Sequence, residues 1–190
     1  MNGLSPRAVF LDRDGVLNRA AVRDGVSYPP DSLDGVEILP GVREALQELR
    51  RAGFLLLVVT NQPDVGKGKQ SRETVEAIHS KLRAELALDD IFVCYHVDAD
   101  ACDCRKPAPG LLEQGAARYE LYLPGCYMVG DRWRDLDAGH RAGCRTVFVD
   151  YGYRERAADH EPEARVTSLQ EAAGWILLDA AKRSENEVTL

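Results

Sequence analysis

Phe54-Leu55-Leu56-Leu57-Val58-Val59, followed at once by Thr60-Asn61-Gln62, is the stretch on which the fold turns. An apolar run with no polar alternation, closed by three polar residues, reads as a β-strand covered by helices on both faces. Upstream, Val42, Ala45, Leu46 and Leu49 recur at helical spacing and Gly53 ends the helix. Downstream, Ser71 can cap a helix running to Leu86, with Val75, Ile78, Leu82 and Leu86 as its apolar stripe. Further strands are expected at Ala8–Leu11, Ile91–Tyr95, Cys126–Val129 and Arg145–Val149. Helices are expected at about Pro109–Tyr119, at Arg134–Ala142, and after the capping box Ser168-x-x-Glu171, the last burying Trp175, Ile176 and Leu178. Residues 13–40, punctuated by Gly15, Gly25, Pro29, Pro30 and Gly35, read as loop. Alternating strands and helices predict an α/β, three-layer Rossmann-like parallel sheet. We expect one domain over residues 1–182 and a frayed polar tail over 183–190.

The chain has 190 residues, 45% of them hydrophobic and 29% charged, and a net charge of −7. That size suits one compact domain, and the acidic balance argues against a protein that coats nucleic acid. No stretch has the length of a membrane span, and residues 1–7 carry no apolar core of a secretory leader, so a cytoplasmic protein is expected. We expect a monomer that binds a small phosphorylated metabolite, with neither nucleic acid nor membrane as partner.

In parallel sheets ligands bind beyond the carboxyl ends of the strands. Asp12, Thr60 and Asp131 each follow an apolar strand directly, so all three should face one crevice. Asp12-Arg13-Asp14-Gly15 puts two carboxylates at a strand end. One can attack phosphorus, and the other can protonate the leaving oxygen and then deprotonate water. Taken alone, the same four residues also describe a turn with two solvated acids. Asp12 and Asp131 offer hard oxygens of the kind magnesium takes, Lys106 a fixed positive charge, and Thr60 a hydroxyl for a phosphoryl oxygen.

Phe10-Leu11-Asp12-Arg13-Asp14-Gly15-Val16-Leu17-Asn18, Val59-Thr60-Asn61-Gln62, Cys104-Arg105-Lys106-Pro107 and Val129-Gly130-Asp131 with Asp135 together resemble the four motifs of the haloacid dehalogenase superfamily of phosphohydrolases. The resemblance runs from Val9 to about Tyr153 and is closest to a small, capless branch. It implies Asp12 as nucleophile, Asp14 as acid and base, Thr60 and Lys106 on the phosphoryl group, and Mg2+ held by Asp12, Asp131 and the Asp14 backbone carbonyl. It also implies substrate contacts from Asn61, Gln62 and Arg105, and a role for Asp135 in orienting Lys106 or the metal shell. Val16 and Pro63 depart from the residues common in relatives, and Pro63 removes a backbone donor near the phosphate. A phospho-aspartate signalling receiver shares the sheet and the nucleophile but has no acid at the position of Asp14.

Cys94-x-His96 and Cys102-x-Cys104 provide three thiols and an imidazole, a set that suits a closed, structural Zn2+ site. Such a site would pin the loop that presents Arg105 and Lys106. Free cytosolic cysteines around a polar loop are the alternative. Cys126 and Cys144 read as core residues, and His79, His140 and His160 as surface or half-buried ones. Gly66-Lys67-Gly68-Lys69 lacks P-loop spacing and reads as a basic loop near the crevice. Arg132 is a candidate cleft residue, and Trp133 can wall the cleft or simply pack. No interval has room for a cap domain, so loops should set specificity. The branch implies removal of the 7-phosphate of a heptose 1,7-bisphosphate, supported by the basic-glycine step at Gly66-Lys67-Gly68. The alternative is histidinol phosphate, supported by the short interval inside the cysteine loop.

Overall fold

The structure is a computed structural model and describes residues 6–188; residues 1–5, where no leader was expected, and the last two residues of the expected tail lie outside the described residues. Eight strands and six helices follow in the order β1 (Arg7–Leu11), β2 (Ala21–Arg23), β3 (Val26–Tyr28), α1 (Val42–Arg51), β4 (Phe54–Asn61), α2 (Pro63–Gly66), α3 (Arg72–Glu85), β5 (Asp90–Cys94), α4 (Gly110–Tyr119), β6 (Tyr127–Gly130), α5 (Trp133–Ala142), β7 (Arg145–Val149), β8 (Ala164–Val166) and α6 (Leu169–Val188). Six strands form one parallel sheet in the order β5-β4-β1-β6-β7-β8.

The alternating side chains of the central strands divide the core in two. Val9, Leu11, Leu56 and Val58 pack against α1, α3 and α6, while Ala8, Phe10, Leu57 and Val59 pack against α4 and α5. Every one of these eight strand residues is wholly buried, so an unbroken apolar run is what both faces require. Each buried aliphatic side chain contributes roughly 1.5–3 kcal/mol relative to exposure.

The chain winds outward from β1 through β4 to β5, then returns to the other side of β1 for β6, β7 and β8. The strand order thus reverses at the C-terminal end of β1, where such sheets open a crevice. The β1–β4 register pairs Leu11 with Val58 and the β1–β6 register pairs Leu11 with Val129. The Asp12 amide then donates to the Val129 carbonyl at 2.9 Å. These pairings bring Asp12, Thr60 and Asp131 to one edge of the sheet.

Four expectations need correction. The segment 13–40 holds the antiparallel hairpin β2–β3, turned at Asp24-Gly25 with φ of 54° and 80°; Asp-Gly between apolar-alternating residues is a strong hairpin signal. Leu178 is exposed, because the buried stripe of α6 is Leu169, Ala172, Ala173, Ile176 and Ala180, one position out of phase with it. His79 is only 1% exposed, having joined the Val75, Ile78 and Leu82 stripe of α3. The helix α6 continues through the polar residues to Val188, with Arg183 donating to the Pro124 carbonyl at 2.8 Å. The caps behave as expected: Ser71 Oγ accepts from the Thr74 amide at 3.1 Å and Ser168 Oγ from the Glu171 amide at 3.2 Å.

Candidate active site

Lys106 is 2% exposed, and its ammonium is fully engaged. It donates to Asp12 Oδ1 at 2.7 Å and to the Val59 carbonyl at 2.7 Å, and it meets Asp135 Oδ1 at 2.6 Å. Three hydrogens thus find three acceptors. Burial works against the Lys106 charge, but Asp12 and Asp135 outweigh it and hold its pKa above the usual lysine value. Its backbone is held as well: Asn61 Nδ2 donates to the Lys106 carbonyl at 2.9 Å, and Asn61 Oδ1 accepts from the Lys106 amide at 3.1 Å. Asp135 is therefore the partner that orients Lys106, and its Oδ2 also accepts from the Arg132 amide at the start of α5, at 3.0 Å.

Asp12, Asp131 and Asp135 each bring a carboxylate oxygen within 4.8 Å of the others. Burial lifts the Asp12 pKa to about 6; Lys106 pulls it back, and Asp135 and Asp14 add to the rise. Asp131 is pushed well above the usual carboxylate range, by burial first and then by Asp12 and Asp135. Both its oxygens are buried without a hydrogen-bond partner. A buried carboxylate left in that state is costly. Three carboxylates against one ammonium leave a charge deficit that a hard divalent cation fits. Gly15 makes room for Asp131: its φ is +91°, and a Cβ there would fall 1.8 Å from Asp131 Oδ2.

Asp14 is set by three side chains. Arg13 Nη2, Asn18 Nδ2 and Gln62 Nε2 donate to its carboxylate at 2.8, 2.9 and 2.8 Å. A tight turn brings Asn18 back, with the Asn18 amide donating to the Arg13 carbonyl at 3.1 Å. Gln62 Nε2 also donates to Thr60 Oγ1 at 2.9 Å, so this amide ties Asp14 to Thr60. Gln62 was expected to touch substrate; at 1% exposure, with its NH2 group used internally, it is instead a support behind the cleft.

Arg13 and His79 were missed from sequence. The Arg13 side chain is 0% exposed and grips Asp14 while meeting His79 Nε2 through Nη1 at 3.2 Å. The signal was available: a buried Arg needs an anion, and His79 falls on the apolar stripe of α3. Burial first, then the Arg13 guanidinium, pushes the His79 pKa down to about 4, with Glu76 opposing. Between about pH 6.5 and 4 the unfolded chain therefore binds a proton that the folded chain refuses. Stability falls as the pH drops through this window, and the term vanishes above it. His79→Gln is expected to lose roughly 2 kcal/mol less than the wild type between pH 7.5 and pH 5, measured by urea unfolding.

A cleft of about 280 Å³ opens above these groups. Asp12, Asp14, Asn61 and Lys106 line it together with Ser27, Tyr28 and Pro29, and four cations, Lys67, Arg105, Arg132 and Arg134, line it as well, Lys67 paired with Asp64 and Arg105 and Arg134 with Asp98. Arg132 is braced by Glu155. Trp133 lies between the Arg134 and Arg156 guanidiniums, 4.6 and 3.6 Å from the ring centre, and does not line this cleft.

The cysteine loop closes on itself. Cys104 Sγ lies 3.3 Å from Cys94 Sγ, 3.4 Å from Cys102 Sγ and 3.3 Å from His96 Nδ1, and Cys94 Sγ lies 3.7 Å from Cys102 Sγ and 3.5 Å from His96 Nδ1. These separations are too long for disulfides. At 3.3–3.7 Å between sulfurs they form a cluster slightly tighter than the edges of a zinc tetrahedron, about 3.8 Å at a zinc–sulfur distance of about 2.3 Å.

A strand-end aspartate pair, a buried lysine between acids and a cation-shaped carboxylate cluster define a phosphoryl-transfer site. The chain belongs to the haloacid dehalogenase-like phosphatases. The family model described as HAD-hydrolase-like matches residues 103–172, and that described as polynucleotide kinase 3 phosphatase matches residues 10–134. Among relatives, the D-glycero-beta-D-manno-heptose-1,7-bisphosphate 7-phosphatase of Pseudomonas putida is 37% identical, with 80% of this chain and 87% of the relative covered. The enzyme of that name from Escherichia coli K12 is 34% identical over 90% of this chain and 87% of its own. The crystal structure of D,D-heptose 1,7-bisphosphate phosphatase from B. bronchiseptica, complexed with magnesium and phosphate, superposes with a TM-score of 0.75 at 33% identity, covering 92% of this chain and 99% of that one.

Proposed function

We propose that this phosphatase removes the 7-phosphate of D-glycero-D-manno-heptose 1,7-bisphosphate. The observation that carries the reading is one cleft lined by Asp12 and Lys106 and also by Lys67, Arg105, Arg132 and Arg134, cations that suit a substrate with two phosphates. The names of the relatives support the sugar. Asp12 Oδ attacks phosphorus, the ester P–O bond breaks, and Asp14 gives its proton to the leaving sugar oxygen. Water then attacks the aspartyl-phosphate, returns a proton to Asp14, and frees phosphate and Asp12. In this scheme Thr60 holds a phosphoryl oxygen, Lys106 steadies Asp12 and supplies positive charge beside the phosphoryl group, Asn61 holds the Lys106 backbone at the cleft, and Arg105 and Arg132 meet the rest of the substrate. Asp12, Asp131 and the Asp14 carbonyl would hold Mg2+, which supplies charge neutralisation for the anionic phosphoryl group. The unpartnered oxygens of Asp131 support that assignment.

Zn2+ fits Cys94, His96, Cys102 and Cys104 as a structural ion, since four protein ligands leave no open position. Replacing Cys104 by Ser is expected to abolish stoichiometric zinc, lower the melting temperature by several degrees and reduce activity indirectly, because Arg105 and Lys106 follow that ligand. Metal analysis of protein purified without chelator checks this, and zinc-free native protein would sink it. Three thiols in one loop also support a reducing, cytoplasmic location. Among the described residues no helix is long and apolar enough to cross a membrane. We retain the monomer as part of this proposal, together with one domain over residues 1–182.

The test is phosphate release with magnesium from the heptose bisphosphate and from histidinol phosphate at equal concentration. Preference for the bisphosphate, with loss from position 7, is expected. The histidinol phosphate reading rests on the short interval Val97–Ala101 inside the cysteine loop, and preference for that substrate would establish it instead.

A further inference from the structure

The interval that makes the cysteine loop short contains an acid with an unusual set of partners. Asp98 opens a 3₁₀ turn between the two halves of the loop. Its Oδ1 accepts from Arg105 Nε at 2.8 Å and from Arg134 Nη1 at 3.0 Å, and its Oδ2 from Arg134 Nη2 at 3.3 Å. Arg105 comes from the end of the cysteine loop and Arg134 from α5, and Asp98 joins their guanidiniums. The two side chains are 12% and 23% exposed, whereas that of Asp98 is 65% exposed. All three line the catalytic cleft. The arginines also touch the backbone, Arg105 at the His96 carbonyl and Arg134 at the Lys106 carbonyl, both at 3.3 Å.

We propose that Asp98 is a specificity-determining positioning residue that clamps Arg105 and Arg134 side by side as the receptor for the second phosphate of a doubly phosphorylated substrate. The inference rests on the bisphosphate reading above. Two long cationic side chains left free at a cleft rim would lose rotamer freedom on gripping an anion. A carboxylate that already holds both forks removes most of that cost. The carboxylate also holds the guanidiniums together against their mutual repulsion, while among the described residues Arg105 donates through Nε and Nη1 and leaves Nη2 for a ligand. Asp98 holds the two arginines and makes no hydrogen bond to Asp12 or Lys106 among the described residues, so the clamp acts on binding more than on the chemical step.

The experiment compares wild type, Asp98→Ala and Asp98→Glu on three substrates: the heptose 1,7-bisphosphate, the heptose 7-phosphate and p-nitrophenyl phosphate. Zinc content is measured in parallel. For Asp98→Ala the KM for the bisphosphate is expected to rise about three- to tenfold with kcat within about twofold. The rise should be clearly smaller for the two monophosphates, the zinc content should stay at wild-type level, and Asp98→Glu should restore part of the lost affinity. An unchanged or lowered bisphosphate KM in Asp98→Ala would overturn the inference, as would an equal rise for all three substrates. A wild type that does not favour the bisphosphate over the 7-phosphate would overturn the bisphosphate reading itself. A wild-type preference that survives undiminished in Asp98→Ala overturns the clamp alone.

Discussion

Asp12→Asn is expected to lower phosphate release by at least about four orders of magnitude while leaving the protein folded. The amide keeps the size of the carboxylate and still offers an oxygen to Lys106, whose other two acceptors, Asp135 and the Val59 carbonyl, are untouched. What is lost is the anionic oxygen that attacks phosphorus. Removing a carboxylate that burial already disfavours should not lower the melting temperature; the sign follows from its raised pKa, because ionising Asp12 at neutral pH costs folding free energy. Steady-state phosphate release with magnesium, alongside circular dichroism melting, checks both halves. Turnover near the wild-type rate would remove Asp12 from the role of nucleophile.

Lys106→Met should damage both activity and stability. Methionine fills much of the same volume but leaves Asp12, Asp135 and the Val59 carbonyl without their shared donor. Breaking a buried charge pair from one side costs about 3–5 kcal/mol. Loss of a fixed cation beside the transferring group lowers kcat by at least about a thousandfold. Urea unfolding at neutral pH and kcat on any accepted monoester give the two numbers. The stability loss should shrink at low pH, where Asp12 is protonated in any case, since a neutral carboxyl needs no counter-charge. A variant as stable as the wild type at neutral pH would mean that the three carboxylates are compensated by something other than Lys106.

The central strands were legible because nothing else explains their composition. An unbroken Phe54–Val59 run must be covered on both sides, and a strand that then turns polar must end at a sheet edge. The candidate nucleophile Asp12 and the candidate metal ligand Asp131 were legible for the same reason, since both sit at the ends of apolar strands. The cysteine loop was legible from ligand type and spacing alone. The short strands were not. β8 has three residues, none fully buried, and pairs only because β7 offers it an edge. The β2–β3 hairpin carried its Asp-Gly turn in plain view, but two strands of three residues add little periodicity to read.

The supporting partners form a different class. Arg13 stands between two acids in sequence, and its side chain could have faced water; the fold buries it between Asp14 and His79, which lie 65 positions apart. Gln62 carries a motif position whose role reverses once its amide is found between Asp14 and Thr60. Asp98 gives no signal in one dimension, because its meaning lies in the approach of Arg105 and Arg134 from separate elements. By itself, then, the sequence determined the layer architecture, the convergence of Asp12, Thr60 and Asp131 on one sheet edge and the grouping of Cys94, His96, Cys102 and Cys104, because burial periodicity and ligand chemistry are local properties of residue type. The tertiary structure alone decided which polar side chains are spent on holding others and which remain for a substrate. That choice depends on distances between segments remote in the chain, and a hydrogen bond is made or lost within a few tenths of an ångström.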